Sequence, residues 1–420
     1  MKVGIIGSGG REHAICHALT TSEKIHEIYC FPGNAGTAEI AKNVNLSTTD
    51  FNKLKDYILL KKIDLIIVGP EKPLVDGIVD FLEEHNIKVF GPNKIASQLE
   101  GSKIFTKNIC KKYNIPSAKY EIFEKIDEAN KFLKEATFPL VIKADGLASG
   151  KGVYICDNEN EAQLSIKEIF GGKFGSAKNL LIEEFLEGEE MSYFIVSDGR
   201  SIKTFETAQD HKRVLEGDRG KNTGGMGAYS PSRMINDKLE KKILKKIIEP
   251  TMKALKEIGV HYKGFLYAGL MIVNGEPYLI EYNVRMGDPE CQTILPKLKS
   301  DLLDIFLACC DERLNKIKIE WHNKKSLCIV LCSKGYPDEF KKNVLIKNLH
   351  KIKLSENDYY YHAGTNNIDD KVYAVGGRVL NFVCLSEDFS KSRTQIFSLI
   401  KSLNWDGGFF RKDIGYKVIN

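Results

Sequence analysis

The strongest constraint on the fold is a regular alternation of short apolar runs with amphipathic segments over roughly the first hundred residues. The apolar runs have the length of buried strands, and they are KVGIIG, IHEIYCF, IDLIIVGP and IKVFGP. The segments between them have helical spacing, and they are GREHAICHALTTS, FNKLKDYILLKK and VDGIVDFLEEHN. Strands that alternate with helices form βαβ units, so the pattern predicts an α/β fold with a parallel sheet.

The loops at the carboxyl ends of these strands meet at one edge of such a sheet, where open α/β proteins bind their ligands. They are rich in Gly, Pro and polar residues, and they read GSGGREH, CFPGNAG, GPEKPLVDG and FGPNK. This composition predicts one binding crevice. Glu71, in the third loop, is predicted to bind a substrate hydroxyl there, and a solvated loop carboxylate is the alternative.

Composition restricts the class of protein. The chain has 420 residues, 43% hydrophobic and 28% charged, so we expect a globular protein of about two to four domains. The net charge of +5 is small beside 61 basic and 56 acidic side chains, so no nucleic-acid partner is indicated. No apolar run approaches the roughly 20 residues that a membrane span needs.

Cysteine usage indicates a reducing compartment. The ten cysteines contain no C-x-x-C pair, and most lie in apolar runs such as FLACC and LCIVLC. We therefore expect buried free thiols. The sequence opens on the strand MKVGIIG, without a charged and then apolar leader. Together these features predict a cytoplasmic protein.

The loop GSGGREHA resembles a dinucleotide fingerprint but departs from it twice. Glu12 stands where the third glycine of G-x-G-x-x-G belongs, and no acidic residue ends the second strand. The backbone N–H groups from Gly7 to Gly10, with Arg11 beside them, would suit a single phosphate at the start of a helix. A tight strand–helix turn without a ligand and a nicotinamide site are the alternatives.

A second glycine-rich loop lies in VIKADGLASGKGVYICD, between two segments that read as antiparallel strands. It is not a Walker A loop, because one residue is missing between the glycines and Gly152 replaces the hydroxyl residue that binds Mg²⁺. We predict a flexible lid that folds over a triphosphate at Gly146, Gly150 and Gly152. Lys143, on a half-buried strand, would face the same site, and Lys151 would close on the terminal phosphates.

The segment LIEEFLEGEE is predicted to bind adenosine. Its backbone from Glu184 to Leu186 can face an adenine edge, with Phe185 or its neighbours against the ring. Glu190, in preference to Glu189, would lie near the ribose. A solvated acidic turn is the alternative.

The strand PYLIEYNVRMGDPE predicts a metal site. Glu281 and Asn283 are two residues apart and therefore share a strand face, which Arg285 continues. A carboxylate and an amide without nearby His or Cys suit Mg²⁺ (or Mn²⁺) that bridges phosphates. Arg285 would stabilise a transferring phosphoryl group or hold a substrate carboxylate. A solvated strand face is the alternative.

These motifs together resemble the phosphoribosylamine–glycine ligase family (glycinamide ribonucleotide synthetases) of the ATP-grasp superfamily, over essentially the whole chain. The stretches that carry the resemblance are MKVGIIGSGGREHA, GPEKPLVDG, VIKADGLASGKGV, IEEFLEGEEMS, AQDHKRVLEGDRGKNTGGMGAYSP and LIEYNVRMGDPE. The resemblance implies a Rossmann-like, pre-ATP-grasp domain at residues 1–102, an ATP-grasp domain at 103–325 with a lid at about 120–190, and a small α+β domain at 326–420.

The activity implied by the resemblance is part of purine biosynthesis. ATP would activate the carboxylate of glycine as glycyl phosphate, and the nitrogen of 5-phosphoribosylamine would then displace phosphate. ATP would be bound by Lys103, Lys143, the lid loop 145–152 with Ser149, Glu183, Glu184, Phe185, Leu186 and Glu190. The reacting groups would be surrounded by Asp210, His211, Lys212, Arg213 and Arg285. The substrates would be held by Gly9, Gly10, Arg11, Glu71, Gly224, Gly225 and Asp288, and the metal by Glu281 and Asn283. We expect a monomer.

Several alternatives stay open at this stage. Many ATP-grasp enzymes have a second metal carboxylate on the strand before IEYN, but FLYAGLMIV has none, so the metal would rest on two side chains, phosphates and water. His211 is either a general base or a structural residue. A different ATP-grasp ligase, a carboxylase, a nicotinamide-dependent dehydrogenase and an inactive nucleotide-binding protein are the other readings of the whole chain.

Overall fold

The structure is a computed structural model, and it describes residues 1–147, 152–173, 175 and 178–419. Three of the predicted lid residues, Ser149, Gly150 and Lys151, lie outside the described residues. None of the helices in these described ranges is both long enough and apolar enough to cross a membrane.

The amino-terminal sheet is five-stranded and wholly parallel, which confirms the prediction from the alternating pattern. Its order is β3-β2-β1-β4-β5. The strands are β1 (Lys2–Gly7), β2 (Glu27–Pro32), β3 (Lys42–Asn43), β4 (Leu65–Val68) and β5 (Val89–Phe90). The helices are α1 (Gly10–Leu19), α2 (Thr37–Ile40), α3 (Phe51–Lys61), α4 (Glu71–Asp76), α5 (Ile78–Glu84), α6 (Gln98–Gly101) and α7 (Lys103–Tyr113).

The segment VDGIVDFLEEHN, predicted as one helix, spans two. Helix α4 ends at Asp76 and α5 begins at Ile78, because Gly77 has a φ of +98° and interrupts the helix in a conformation that glycine adopts without steric cost. The break leaves Glu71 at the amino end of a short helix directly after β4.

A second, antiparallel sheet of four strands lies in the segment predicted to be the lid, and we call it the lid sheet. Its order is β6-β9-β7-β8. The elements are β6 (Tyr120–Phe123), α8 (Ile126–Leu133), β7 (Leu140–Ala144), β8 (Val153–Cys156), α9 (Glu159–Phe170) and β9 (Leu180–Glu184). The predicted hairpin is confirmed, since Lys143 of β7 pairs with Val153 of β8. Ile142, Ile166 and Ile182 belong to the separate small core under this sheet.

The largest sheet has nine strands and we call it the core sheet. Its order is β16-β15-β10-β11-β14-β17-β22-β19, with β23 paired to β17. The strands are β10 (Glu189–Asp198), β11 (Ile202–Asp210), β14 (Gly227–Ser230), β15 (Lys263–Val273), β16 (Glu276–Asn283), β17 (Lys325–Ser333), β19 (Asp358–His362), β22 (Arg378–Ser386) and β23 (Gly408–Phe409). The carboxyl-terminal strands thus extend this sheet through the pairing of Ala228 with Cys328. After its first residue β17 is buried on both faces, so it is covered by neighbours on each side.

The remaining elements form hairpins and covering helices. The strands are β12 (Arg213–Leu215), β13 (Arg219–Asn222), β18 (Val344–Leu345), β20 (Thr365–Ile368) and β21 (Lys371–Ala374). The helices are α10 (Asp237–Ile243), α11 (Glu249–Glu257), α12 (Glu290–Ile294), α13 (Leu302–Cys310) and α14 (Phe389–Leu403). A π-helical turn joins α10 to α11 near Pro250, which has no N–H to donate to the preceding turn.

Candidate active site

The candidate site is a cleft in which the lid sheet faces the core sheet. Lys143 of β7 lies with its Nζ 3.5 Å from the carbonyl oxygen of Ile280 on β16. Burial lowers the pKa of Lys103, at the start of α7, and the carboxylate of Glu281 opposes this shift. The structure therefore brings together the lysines predicted to bind phosphate and the strand predicted to bind metal.

The amino end of α7 fixes Lys103 and the first residues of the lid loop. The side chain of Ser102 caps the helix. The carboxylate of Asp145 accepts a hydrogen bond from the backbone N of Lys103 at 2.8 Å, a position where the helix terminus favours negative charge. Lys103 Nζ in turn donates to the carbonyl of Gly146 at 2.9 Å. Gly146 thus lies beside Lys103 where the loop leaves β7.

Lys143 is buried on the cleft side of β7, because strand side chains alternate and Ile142 points into the lid core. Its Nζ donates to Glu183 Oε2 at 2.8 Å. The carbonyl of Gly152 accepts from the backbone N of Ala144 at 2.9 Å and so continues the hairpin beyond the two strands.

The predicted adenine-binding segment leaves the lid sheet at the end of β9. Glu184 is fixed there, since its backbone N donates to the carbonyl of Lys119 at 3.0 Å and its Oε1 accepts from the backbone N of the same residue at 2.9 Å. Phe185 and Leu186 follow as loop residues, and the side chain of Phe185 is 37% exposed. Their contact with adenine stays a prediction.

Glu189 and Glu190 point to opposite faces of β10 because strand side chains alternate. Glu189 accepts from Gln209 Nε2 at 2.8 Å and pairs with Arg233. Glu190 Oε2 lies 2.7 Å from Lys212 Nζ, and this cation lowers the pKa of Glu190. Of the two glutamates, Glu190 therefore lies with the cleft lysines.

The predicted metal ligands lie together at the end of β16. Glu281 pairs with Gly269 and Asn283 with Tyr267 on the neighbouring strand, so both side chains share one face. Lys212, which follows β11, lies across the cleft from this strand. Burial lowers the pKa of Lys212, but the acidic groups around it, Glu281 among them, raise it well above the ordinary value. Among the described residues, no group of three or more His, Cys, Asp or Glu side chains could hold a metal ion. The donor set here is one carboxylate and one amide oxygen.

Arg285 is held by two acids from the amino-terminal part of the chain. Its Nη2 donates to Glu100 Oε1 at 2.7 Å, and its Nε lies 3.5 Å from Glu71 Oε2. Glu100 also accepts from the backbone N of Val284 at 2.8 Å. Burial raises the pKa of Glu100 to about 7, and Arg285 opposes this shift. No sequence pattern singles out Glu100, because its partner is 185 residues away.

The glycine loop after β1 is built around the side chain of Glu12. Glu12 Oε2 accepts from the backbone N of Gly9 at 2.7 Å, and Oε1 accepts from Arg11 Nε at 2.6 Å. A Cβ atom on Gly69 would lie 2.0 Å from this Oε1. The anion held by the loop is therefore a carboxylate of the protein, which argues against a nicotinamide site. Phosphate binding by Gly9, Gly10 and Arg11 stays a prediction, and Glu12 already accepts from the backbone N of Gly9 and from Nε of Arg11.

The residues from Asp210 to Arg213 divide into two pairs. Asp210 and Lys212 face the cleft, and burial raises the pKa of Asp210 to about 7 while Lys212 opposes the shift. His211 is 1% exposed on the other side, where its Nε2 accepts from the backbone N of Gly415 at 3.1 Å and burial lowers its pKa. Arg213 Nη1 donates to a carbonyl in its own hairpin. This geometry favours the structural alternative for His211, and it does not support catalytic contact by His211 or Arg213.

The carboxyl-terminal segment 411–417, which we call the strap, holds the back of this loop. The guanidinium of Arg411 is buried and donates to Asp413 at 2.8 and 2.7 Å, to Asp218 Oδ1 at 2.8 Å and to the carbonyl of Arg213 at 2.9 Å. The backbone N of Gly415, also in the strap, donates to the imidazole of His211. The strap therefore fixes both outward residues of the loop, His211 and Arg213. Lys212 lies between these two residues in the sequence, so its backbone is held on both sides.

The predicted substrate residues Gly224, Gly225 and Asp288 meet at a residue that the sequence reading missed. Arg378 Nη1 donates to the carbonyls of Gly224 at 2.5 Å and Asp288 at 2.6 Å, and lies 3.2 Å from Asp288 Oδ1. The hydroxyl of Tyr336 accepts from the backbone N of Gly224 at 2.9 Å. Gly225 has a φ of +109°, which suits glycine. Two carboxyl-terminal side chains therefore complete this wall of the cleft.

Three family models match the chain in succession. Residues 1–100 match the phosphoribosylglycinamide synthetase N domain, residues 101–291 the phosphoribosylglycinamide synthetase ATP-grasp (A) domain, and residues 326–417 the phosphoribosylglycinamide synthetase C domain. These matches, with the observed sheets, confirm the predicted fold class.

Similarity to known proteins extends over the full length. The phosphoribosylamine–glycine ligase of Caldanaerobacter subterraneus subsp. tengcongensis is 46% identical over 419 residues, which are 99% of this chain and 99% of that protein. The crystal structure of phosphoribosylamine–glycine ligase from Thermotoga maritima is 35% identical with a TM-score of 0.85, over 99% of this chain and 100% of that one. The biotin carboxylase domain of the Hydrogenobacter thermophilus 2-oxoglutarate carboxylase is 16% identical with a TM-score of 0.75, over 97% and 91%, and shares the fold alone. On the successive domain matches and the full-length identity, the chain belongs to the phosphoribosylglycinamide synthetase family.

Proposed function

We propose that this chain uses ATP to ligate glycine to 5-phosphoribosylamine, giving glycinamide ribonucleotide, ADP and phosphate in purine biosynthesis. Its family and its similarity to phosphoribosylamine–glycine ligases support this activity. The observation that carries the proposal is the convergence of Lys103, Lys143 and Glu281 on one cleft from three separate parts of the fold.

ATP lies in the cleft between the lid sheet and the core sheet. Lys103 and Lys143 bind its phosphates, and the loop 145–152 closes over them. The segment from Glu184 to Leu186 binds adenine, Glu190 binds the ribose, and Glu183 lies beside the phosphate-binding Lys143. These roles are supported by the exposure of Phe185 at the end of β9 and by the placement of Glu190 beside the cleft lysines.

A divalent metal ion fits the donor set of Glu281 and Asn283. Their carboxylate and amide oxygens are hard ligands of the kind that Mg²⁺ or Mn²⁺ takes, and two protein ligands suit an ion that keeps phosphate and water ligands. When bound, such an ion neutralises charge on the phosphates. The neighbouring Lys103 and Lys212 add fixed positive charge to the same cleft.

The reaction has two steps. A carboxylate oxygen of glycine attacks the γ-phosphorus of ATP, forming glycyl phosphate and releasing ADP. The amine nitrogen of 5-phosphoribosylamine then attacks the carbonyl carbon, phosphate leaves, and the nitrogen loses a proton. Positioning and charge neutralisation carry most of the rate in such transfers. We assign Lys212 and Arg285 to the developing negative charge and Asp210 to the amine.

The substrate side of the cleft is formed by residues around Asp288. Gly224 and Gly225 lie beside it, and Arg378 links the two segments. We assign this wall, with Glu71 and the loop from Gly9 to Arg11, to 5-phosphoribosylamine.

We further propose a domain of residues 1–102, an ATP-grasp domain of residues 103–325 with its lid at about 120–190, and a carboxyl-terminal domain of residues 326–420. The core sheet crosses the last of these boundaries. We further propose that the protein is a monomer. The ten free cysteines, nine of them buried, support a cytoplasmic location.

The proposal is tested by ADP release from purified protein with Mg²⁺-ATP and freshly prepared 5-phosphoribosylamine. ADP release is expected with glycine and not without it. ADP release that does not depend on glycine, or that requires bicarbonate instead of glycine, would overturn the assignment. An absorbance change with a nicotinamide cofactor would restore the dehydrogenase reading.

A further inference from the structure

A buried carboxylate lies between two lysines behind the candidate ATP site. Glu183 Oε2 is 2.8 Å from Lys143 Nζ, and Glu183 Oε1 is 3.4 Å from Lys107 Nζ. The side chains of Glu183, Lys143 and Lys107 are 4%, 6% and 4% exposed, so none of the three charges is solvated by bulk water. Two cations therefore share one anion in a nearly dry environment.

Local structure explains how these residues meet. Helix α7 presents Lys103 and Lys107 on one face, because residues four apart lie one above the other. Strands β7 and β9 are neighbours, and Val141 pairs with Glu183, so Lys143 lies two residues along from that pair on the same face. Three elements thus direct four ionisable side chains to one point.

The two lysines differ in what else holds them. Lys107 Nζ donates to the carbonyl of Ala118 at 3.2 Å and lies 5.1 Å from the centre of the Tyr120 ring. Within the part of the chain that the structure describes, Lys143 has only the carbonyl of Ile280, at 3.5 Å, as a second partner, and it lies on the cleft side. Lys107 is thus anchored away from the cleft, and Lys143 is free to turn toward a ligand.

We propose that Lys107 is a positioning residue, a permanent counter-ion of Glu183 that allows Lys143 to turn from Glu183 to the phosphates of ATP. This inference rests on the proposed ATP site. Without Lys107, the departure of Lys143 leaves the buried carboxylate with no cation in direct contact, because Lys103 donates to the carbonyl of Gly146 instead, and such a state is strongly disfavoured. With Lys107 in place, Glu183 keeps one cation in both states and Lys143 is released at little cost.

A double-mutant cycle on ATP affinity tests this. The dissociation constant of Mg²⁺-ATP is measured by calorimetry without glycine for wild type, Lys107→Met, Glu183→Gln and the double variant. Lys107→Met is expected to weaken ATP binding by about tenfold or more, because Lys143 is retained by Glu183. In the Glu183→Gln background the same substitution is expected to change the constant by less than about threefold, because no carboxylate needs a partner. Lys111→Met, at an exposed position of the same helix, is the control and is expected to bind as wild type.

The outcomes separate a counter-ion from a packing residue. An unchanged constant in Lys107→Met, or an equal loss in both backgrounds, would overturn the inference, since packing is lost in either background. Lys143→Met distinguishes the inference from the proposed function. Wild-type ATP affinity in Lys143→Met would remove the proposed ATP site, whereas a loss there with none in Lys107→Met removes the counter-ion alone. If Lys107→Met does not fold, Lys107→Gln, which keeps most of the side-chain volume, takes its place in the same cycle.

Discussion

Replacement of Arg411 by methionine tests whether the strap positions the catalytic loop. Arg411 is 1% exposed and lies behind the loop that presents Asp210 and Lys212 to the cleft. The methionine side chain is shorter but has a comparable volume, and it donates no hydrogen bonds. The substitution therefore removes the fixed contacts without truncating the side chain to a small residue.

The size of the effect follows from the contacts. The guanidinium donates four hydrogen bonds, three of them to the carboxylates of Asp218 and Asp413. A hydrogen bond to a charged group contributes about 1.5–3 kcal/mol, and the lower end applies because these carboxylates are 30% and 21% exposed. Burial of the methionine side chain offsets part of the loss. We expect a decrease of about 3–4 kcal/mol in the free energy of unfolding.

The assay combines guanidinium unfolding with ADP release. Arg411→Met is expected to unfold at lower denaturant and to lose turnover by about tenfold or more, since small displacements of reacting groups are costly. Lys412→Met, at the exposed neighbouring position, serves as the matched control and is expected to behave as wild type. A variant that is destabilised but turns over at the wild-type rate would refute the positioning argument, and an unfolding midpoint like that of wild type would refute the energetic one.

Three further outcomes test other parts of the molecule. Glu281→Gln is expected to lower turnover by about a hundredfold or more and to leave thermal unfolding near wild type, because its carboxylate acts on a metal ion; a fully active or an unfolded variant would contradict this. Burial lowers the pKa of His362 to about 4, so the unfolded chain binds the proton more tightly and the free energy of unfolding falls as the pH falls from about 6.5 to 4. In His362→Gln the free energy of unfolding is expected to fall by about 3 kcal/mol less than in the wild type over this pH window. An identical pH dependence in both proteins would show the reasoning to be wrong. Gly69→Ala is expected to lower the free energy of unfolding by about 1–3 kcal/mol, because its Cβ would lie 2.0 Å from Glu12 Oε1, and chemical denaturation at the wild-type midpoint would contradict this.

Much of the fold follows from local patterns. Alternation of strand and helix was enough to predict the parallel sheet, and the apolar segments on either side of the lysine loop were enough to predict the β7–β8 hairpin. The continuation of the core sheet from β14 into β17 was not predicted. That pairing joins Ala228 to Cys328, and no local pattern in either strand specifies a partner so far along the chain.

The candidate site divides in the same way. Lys143, Glu281 and Asn283 stand out in the sequence because polar side chains are uncommon within apolar strands unless they bind a partner. The structure places all three at one cleft. Lys107 and Arg378 were missed, because the burial of each depends on partners contributed by distant segments. Burial of a charge is a property of the assembled fold, and a single sequence carries no local signal for it.

The position of His211 was, in contrast, within reach of the sequence. The backbone continues its pairing beyond the end of β11 at Asp210, since the backbone N of His211 donates to the carbonyl of Gly227 at 2.8 Å. The period of two that groups Glu281 with Asn283 therefore also applies here, and it places Asp210 and Lys212 on one face and His211 on the other. Only one of these faces can meet the cleft, and Lys212 beside Glu190 shows which. An imidazole next to an aspartate and a lysine in sequence is therefore separated from both in space whenever the backbone there is extended. Residue chemistry suggested a base at His211, whereas strand geometry assigns it to the strap.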